Sequence, residues 1–287
     1  MKRRTKLTAL LMAGAMALGL AACGGTPSTQ SQAPEGSQAV VENLPADVQA
    51  IVDRGTLRVG VKTDVPGFGM QELSGGYSGL EIDLAKKIAE AMGLSADDVE
   101  FTAVTAKTRG QLLDSGDIDM VIATFTVNDE RRETWNFSTS YYTDTVSLLV
   151  KNDSGISTYA DLSDKTIGVA EAATSKEALI AAAAENGVTL GENNFQVYPD
   201  YPSIKAALDA GQIDAFCMDG STLTGYVDDS TVILPDIRFA PQEYAIATKL
   251  SNTGLAEFVD GLVTGWLADG TIDQLITDNG VTPSYEG

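Results

Sequence analysis

The sequence predicts an α/β protein made of two similar lobes, each a largely parallel sheet wound with helices. Two observations carry this expectation: a motif that occurs twice, and strands that alternate with helices around each copy. "QLLDSGDIDMVIA", from Gln111, and "AALDAGQIDAFCM", from Ala206, share the core Leu-Asp-small-Gly-x-Ile-Asp. In each copy an amphipathic helix stops at a glycine, Gly116 or Gly211, and an apolar strand follows after a short turn.

The flanking segments repeat as well. Before the first copy the pattern predicts a strand at Leu57 to Val61, a helix at Ile82 to Met92 closed by Gly93, and a strand at Val99 to Val104. Before the second it predicts a strand at Thr166 to Ala170, a helix at Ser175 to Asn186 closed by Gly187, and a strand at Phe195 to Tyr198. Strands and helices alternating at this spacing call for parallel pairing with right-handed crossovers. After the repeats, Leu255, Phe258, Val259, Leu262, Val263 and Trp266 fall at helical spacing, and a second short helix is expected around Ile272 to Ile276. Periodicity alone leaves open which lobe this tail completes.

The first 43 residues are read apart from the fold. "MKRRTK" is a basic start, Leu7 to Leu20 is apolar but short for a membrane span, and "LAAC" ends it with small residues before Cys23. This is the pattern of a lipoprotein signal, residues 1–22, with Cys23 as the lipidated residue. Residues 23–43 are rich in Gly, Pro, Ser and Gln and read as a tether. Losing the signal removes four cations (Lys2, Arg3, Arg4, Lys6) and no acid, taking the formal charge from −21 to −25. A surface so acidic repels nucleic acid and anionic headgroups.

The chain has no histidine and two cysteines. Catalysis by Ser-His or Cys-His pairs is therefore excluded, as are histidine-held metals, and no cofactor or metal is expected. Cys217, in the apolar run "IDAFCM", reads as a small core residue.

Against this acidic background the cations are informative. "IATFTVNDERRETWNFS", Ile122 to Ser138, runs from a strand into a helix whose N-cap should be Asn128. Arg131 would then sit in a first turn where the helix dipole disfavours it, unless an anion binds there. Arg132, turned by about 100° on a helix, cannot face the same small site. "TAKTRGQLL" repeats the theme with Lys107 and Arg109. In the second lobe Thr174 and Glu177 have capping-box spacing, and Asp219 ends a strand where it could take an ammonium or cap the next helix. Ligands of open parallel sheets bind at such strand ends.

Taken together, "GTLRVGVKTDVPGFG", "GYSGLEIDLAKKIAEAMG", "IATFTVNDERRETWNFSTSYYTD", "DLSDKTIGVA" and "PQEYAIATK" resemble the family-3 extracellular solute-binding proteins, receptors for polar amino acids in ABC importers. "VTAKTRGQLLDSGDID", "ATFT" and "YPDYPSIKAALDAGQIDAF" are most similar to the aspartate/glutamate-binding subgroup. The resemblance implies a type II periplasmic-binding-protein-like fold: two Rossmann-like lobes joined by a two-segment hinge, with the ligand cleft between them. It places residues 44–145 and 242–287 in lobe one and 146–241 in lobe two.

It also implies roles. Arg131 would clamp the ligand α-carboxylate, helped by the Thr126 backbone N–H, and Asp219 would hold the α-ammonium. Arg109, Thr124 and Lys62 would take a side-chain carboxylate, Thr174 would contact from lobe two, and Tyr201 would close over the ligand. Two positions depart from the subgroup: Gly220 stands where a lysine is expected, and Leu80 where many relatives carry phenylalanine. The expected protein is a monomeric, extracytoplasmic, lipid-anchored receptor that is not an enzyme and whose partners are an amino acid and an ABC permease. Glutamine remains an alternative ligand. The competing class, enzymes resembling cyclohexadienyl dehydratases, is disfavoured by the missing histidine.

Overall fold

A computed structural model describes residues 43–282. Cys23, the rest of the expected leader and the expected tether up to residue 42 lie outside them. The described residues form two main sheets and a small three-stranded one.

In the first sheet the strand order is Val99–Ala103, Leu57–Val61, Met120–Ile122, Ala247–Lys249, Trp135–Phe137. Leu57–Val61 is parallel to both its neighbours, whereas Ala247–Lys249 is antiparallel to both of its own. The second sheet runs Phe195–Tyr198, Ile167–Ala170, Ala215–Asp219, Tyr142–Lys151, Thr231–Ile233. Its first three strands are parallel and Tyr142–Lys151 is antiparallel to Ala215–Asp219. The two repeats thus have the same local order, the strand opening each repeat lying between the two that follow it.

The repeated motif has the same structural task twice. Gly116 and Gly211 end their helices at φ 80° and 68°, a left-handed conformation that costs glycine little. The isoleucine that follows packs on a glycine of the opening strand: a Cβ on Gly60 would stand 2.6 Å from Ile118, and one on Gly168 2.5 Å from Ile213. The next residue anchors the turn. The carboxylate of Asp119 accepts from Arg58 N at 2.9 Å, and that of Asp214 from Thr166 N at 2.8 Å.

Two strands run between the lobes. Tyr142–Lys151 and Phe239–Tyr244 are antiparallel, with Tyr142 opposite Tyr244 and Asp144 opposite Gln242. The rings of Tyr142 and Tyr244 stack at 5.7 Å, and Phe68 meets both edge-on at 5.1 and 5.9 Å. Beyond the crossing, helix Thr253–Ala268 packs on helix Ala46–Arg54 and on strands Ala247–Lys249 and Trp135–Phe137 of the first sheet, burying Leu255, Val259 and Val263. Helix Thr271–Asp278 buries Ile272, Leu275 and Ile276 and meets helix Leu80–Ala91. Cys217 is fully buried in its strand, where burial pushes its thiol well up, as suits an inert core residue. Among the described residues no helix is long and apolar enough to cross a membrane.

Candidate functional site

The carboxyl ends of the two sheets face each other, and the charged residues singled out in the sequence meet there. A cavity of about 550 Å³ opens between the lobes, lined by Lys107, Phe125, Arg131 and Trp135 on one side and by Ala172, Thr174 and Glu177 on the other. This cavity is the mouth of the cleft. Lys62, Arg109, Thr124, Tyr201 and Asp219 lie beneath it, each almost wholly buried.

Phe125 forms the floor shared by both levels. The Arg109 guanidinium lies 3.8 Å from its ring centroid and that of Arg131 4.9 Å. Burial pushes both guanidiniums below the ordinary arginine value, Arg131 to about 9, and the nearby Arg109 lowers Arg131 further. An anion between them would reverse that imbalance. Arg109 Nη1 donates to the carbonyls of Ala123 (2.7 Å) and Thr124 (3.1 Å), while its buried Nε has no partner. Arg131 Nη1 donates to Thr126 O at 2.6 Å, and its Nη2 reaches across the cleft to Ala172 O at 3.2 Å.

Arg131 does not sit against a helix dipole. Asn128 does cap the helix, accepting from Arg131 N at 2.8 Å, but that helix is one turn, Asp129–Arg132. A single turn has almost no macrodipole; burial and the nearby Arg109 are what press on Arg131. Arg132 is exposed, as its helical angle requires.

Thr124 and Thr126 differ in backbone role. Thr124 has φ 44°, left-handed for a β-branched residue, at a cost of roughly 1–3 kcal/mol. It is held there by Glu81, whose Oε1 accepts Thr124 N at 2.5 Å and Tyr141 OH at 2.6 Å. Thr126 bridges Tyr244 through Val127 N to Glu243 O and Ala245 N to Phe125 O, so its own N–H and C=O point away from the hinge strand. Its carbonyl meets Arg131 there.

Lys62, 1 % exposed, pairs with Asp64 at 3.0 Å and lies 4.1 Å above the ring of Tyr201, which begins helix Tyr201–Asp209 of the second lobe. Tyr226 of the second lobe donates to Asp64 O at 2.6 Å. Two further links cross the cleft mouth, Arg131 to Ala172 and Lys107 Nζ to Glu171 Oε1 at 2.8 Å.

At the second lobe's face Asp219 is 2 % exposed; Oδ2 accepts Tyr244 OH at 2.5 Å and Oδ1 has no partner. It does not cap the helix that follows. Asp144 does so instead, accepting Ser221 N at 3.0 Å and also the Ser221 hydroxyl. This substitution leaves Asp219 with a free oxygen. Burial and the adjacent Asp144 push the Asp219 carboxyl up to about 7, with Tyr244, Arg109 and Arg131 pulling the other way.

Thr174 also departs from expectation. It is the residue before helix Ser175–Glu185 but has helical φ/ψ and no capping bond; its hydroxyl donates to Gln242 Oε1 on the hinge strand at 2.7 Å. The capping box fails because that hinge amide takes the hydroxyl. Leu80 is fully buried at the start of its helix, and a Cβ on Gly220 would have ordinary room, 3.4 Å from Thr145 O and 3.7 Å from Asp144 Oδ1.

Glu81, Asp144, Tyr141, Tyr244 and Phe125 were not legible as site residues. Glu81 lies one residue before the expected helix at Ile82 to Met92, and in the structure it falls in the first turn of helix Leu80–Ala91, while Asp144 lies in strand Tyr142–Lys151.

Residues 57–279 match the model of the bacterial extracellular solute-binding proteins, family 3. The chain is 33% identical over 260 residues to the ABC transporter glutamine-binding protein GlnH of Bacillus subtilis, covering 89% of this chain and 90% of that one. It is 30% identical over 293 residues to the glutamate-binding protein GluB of Corynebacterium glutamicum, covering 96% and 90%. Among solved structures, the ancestral amino-acid-binding protein AncCDT-1, a precursor of cyclohexadienyl dehydratase, superposes with a TM-score of 0.69 at 27% identity, covering 80% of this chain and 98% of that one.

Proposed function

The chain belongs to the bacterial extracellular solute-binding proteins of family 3, the amino-acid receptors of ABC importers, and from that premise we propose that its ligand is an acidic amino acid, glutamate or aspartate. One observation carries the choice: three buried or half-buried cations, Lys62, Arg109 and Arg131, converge in a chain of net charge −21, and the Arg109 Nε has no partner. The desolvated Arg109 guanidinium, with its Nε unpartnered, is best satisfied by a second carboxylate on the ligand.

In this reading Arg131 and the outward N–H of Thr126 take the α-carboxylate, and Asp219 Oδ1 takes the ammonium. Arg109, Lys62 and Thr124 receive the side-chain carboxylate, Tyr201 closes over it from the second lobe, and Thr174 lines the mouth. Glutamate has about ten heavy atoms, so micromolar binding needs about 0.8 kcal/mol per atom. That is attainable for a small ligand whose every charge is paired. The lobes close about the two hinge strands and present the loaded form to the permease, while lipid at Cys23 keeps the receptor at the membrane.

Relatives are named for glutamine as well as glutamate; an amide oxygen would accept from Arg109 without the charge assistance that a carboxylate gives. Titration calorimetry with the twenty amino acids tests the reading: glutamate or aspartate should bind at least tenfold tighter than glutamine. Tighter binding of glutamine, or of arginine, would overturn it. Aromatic product formed from arogenate or prephenate would add an enzymatic role, for which no histidine base is available.

A further inference from the structure

Glu81 is the second residue of helix Leu80–Ala91 and is fully buried. Four groups face it. Thr124 N and Tyr141 OH donate to its Oε1, and Lys62 and Arg109 act on it as nearby cations. Its Oε2 is buried without a partner. Through Thr124 it also governs Arg109, because the left-handed turn it holds presents the Thr124 carbonyl to Arg109 Nη1.

The charge balance at this end of the site is close. Lys62 and Arg109 are opposed by Asp64, which is paired to Lys62, and by Glu81. With all four ionised the end is neutral. A side-chain carboxylate entering there makes it negative, and a carboxamide leaves it neutral.

We propose that Glu81 is the specificity-determining residue at the side-chain end of the site: it positions Thr124 and Arg109, and its charge sets the preference between a carboxylate and a carboxamide. The inference rests on the acidic-ligand reading. Loading a carboxylate then brings a proton from solvent onto Glu81 Oε2. The neutral acid so formed donates to the ligand carboxylate, giving the unpartnered oxygen its hydrogen bond. Burial already raises the Glu81 carboxyl above its ordinary range, the direction this uptake requires.

The test is calorimetry with glutamate at pH 8, in two buffers of different ionisation enthalpy. At that pH Asp219 is already mostly ionised and releases little proton, so uptake reports Glu81. The wild-type protein should take up a substantial fraction of a proton, and Glu81→Gln, which keeps an acceptor for Thr124 N, should abolish the uptake and tighten glutamate by about tenfold. Absence of uptake in the wild type overturns the proposal without any variant being needed. So does a Glu81→Gln protein that folds but binds glutamate unchanged or more weakly, the outcome of a purely structural role. A wild-type protein that binds no acidic amino acid would instead defeat the functional reading on which this rests.

Discussion

The phenol of Tyr244 donates to Asp219 Oδ2 at 2.5 Å and lies 3.3 Å from Asp144 Oδ2, so one hydroxyl on a hinge strand stands between two buried carboxylates. It has one proton to give, and the second carboxylate is left to Ser221 and Thr145. The pair therefore resists carrying two full charges, and Asp219 is raised to about 7 by burial first and by Asp144 second.

Ligand affinity should follow this titration. An ammonium is best held by ionised Asp219, so affinity should rise with pH by up to tenfold per unit between pH 5 and about 7, then level off. Binding curves for the zwitterionic ligand across this range check it. A flat profile would mean that Asp219 is ionised throughout.

The stability of the ligand-free protein should move the opposite way. Because the Asp219 carboxyl is raised above its unfolded value, the folded state binds more protons than the unfolded one between about pH 4 and 7. Its contribution is complete below that window and is lost as pH rises through 7. The melting temperature of the wild type should accordingly fall relative to Asp219→Asn from pH 5 to 7.5, as differential scanning calorimetry of the two proteins would show. The carboxylates of Asp161, Asp228 and Asp269 are shifted down and act only at more acidic pH.

Gly220 should control the same titration. A side chain there starts 3.7 Å from Asp144 Oδ1 with no backbone clash, and Gly220→Lys would set an ammonium beside the two acids. The pH profile of affinity should shift toward acid by about one unit. An unmoved profile in a folded variant would show that the lysine turns to solvent.

The links across the mouth should be unequal. Lys107 and Glu171 are both about half exposed, so Glu171→Gln should cost at most about 1 kcal/mol, a few-fold in affinity, and less at high salt. Arg131 is a different case, since it reaches Ala172 from a site where burial already works against its charge. A large, salt-independent loss in Glu171→Gln would contradict this ranking.

What could be read in the sequence follows from the physics of each feature. The repeat was visible because Gly116 with Ile118–Asp119 and Gly211 with Ile213–Asp214 each perform a local task, a left-handed stop and a docked turn. Asn128 was visible as a cap for the same reason. Arg109 and Arg131 stood out as cations in an acidic chain, although the dipole argument offered for Arg131 was wrong for a helix of one turn. The rest depends on partners distant in sequence. Thr174 meets Gln242, 68 residues away; Asp144 takes over the cap of Ser221, 77 residues away; and Glu81 finds Thr124 at 43. No local pattern marks such residues, because their neighbours in the chain give no hint of what they will face.

The central claim is that the two arginines on Phe125 serve different carboxylates, and calorimetry on Arg131→Ala and Arg109→Gln with glutamate, aspartate and glutamine tests it most directly. Arg131→Ala should abolish binding of all three, since it removes the partner of a carboxylate common to every amino acid. Arg109→Gln should weaken glutamate and aspartate by at least tenfold more than glutamine. If Arg109→Gln lowered all three equally, the assignment of a side-chain carboxylate to Arg109 would be contradicted.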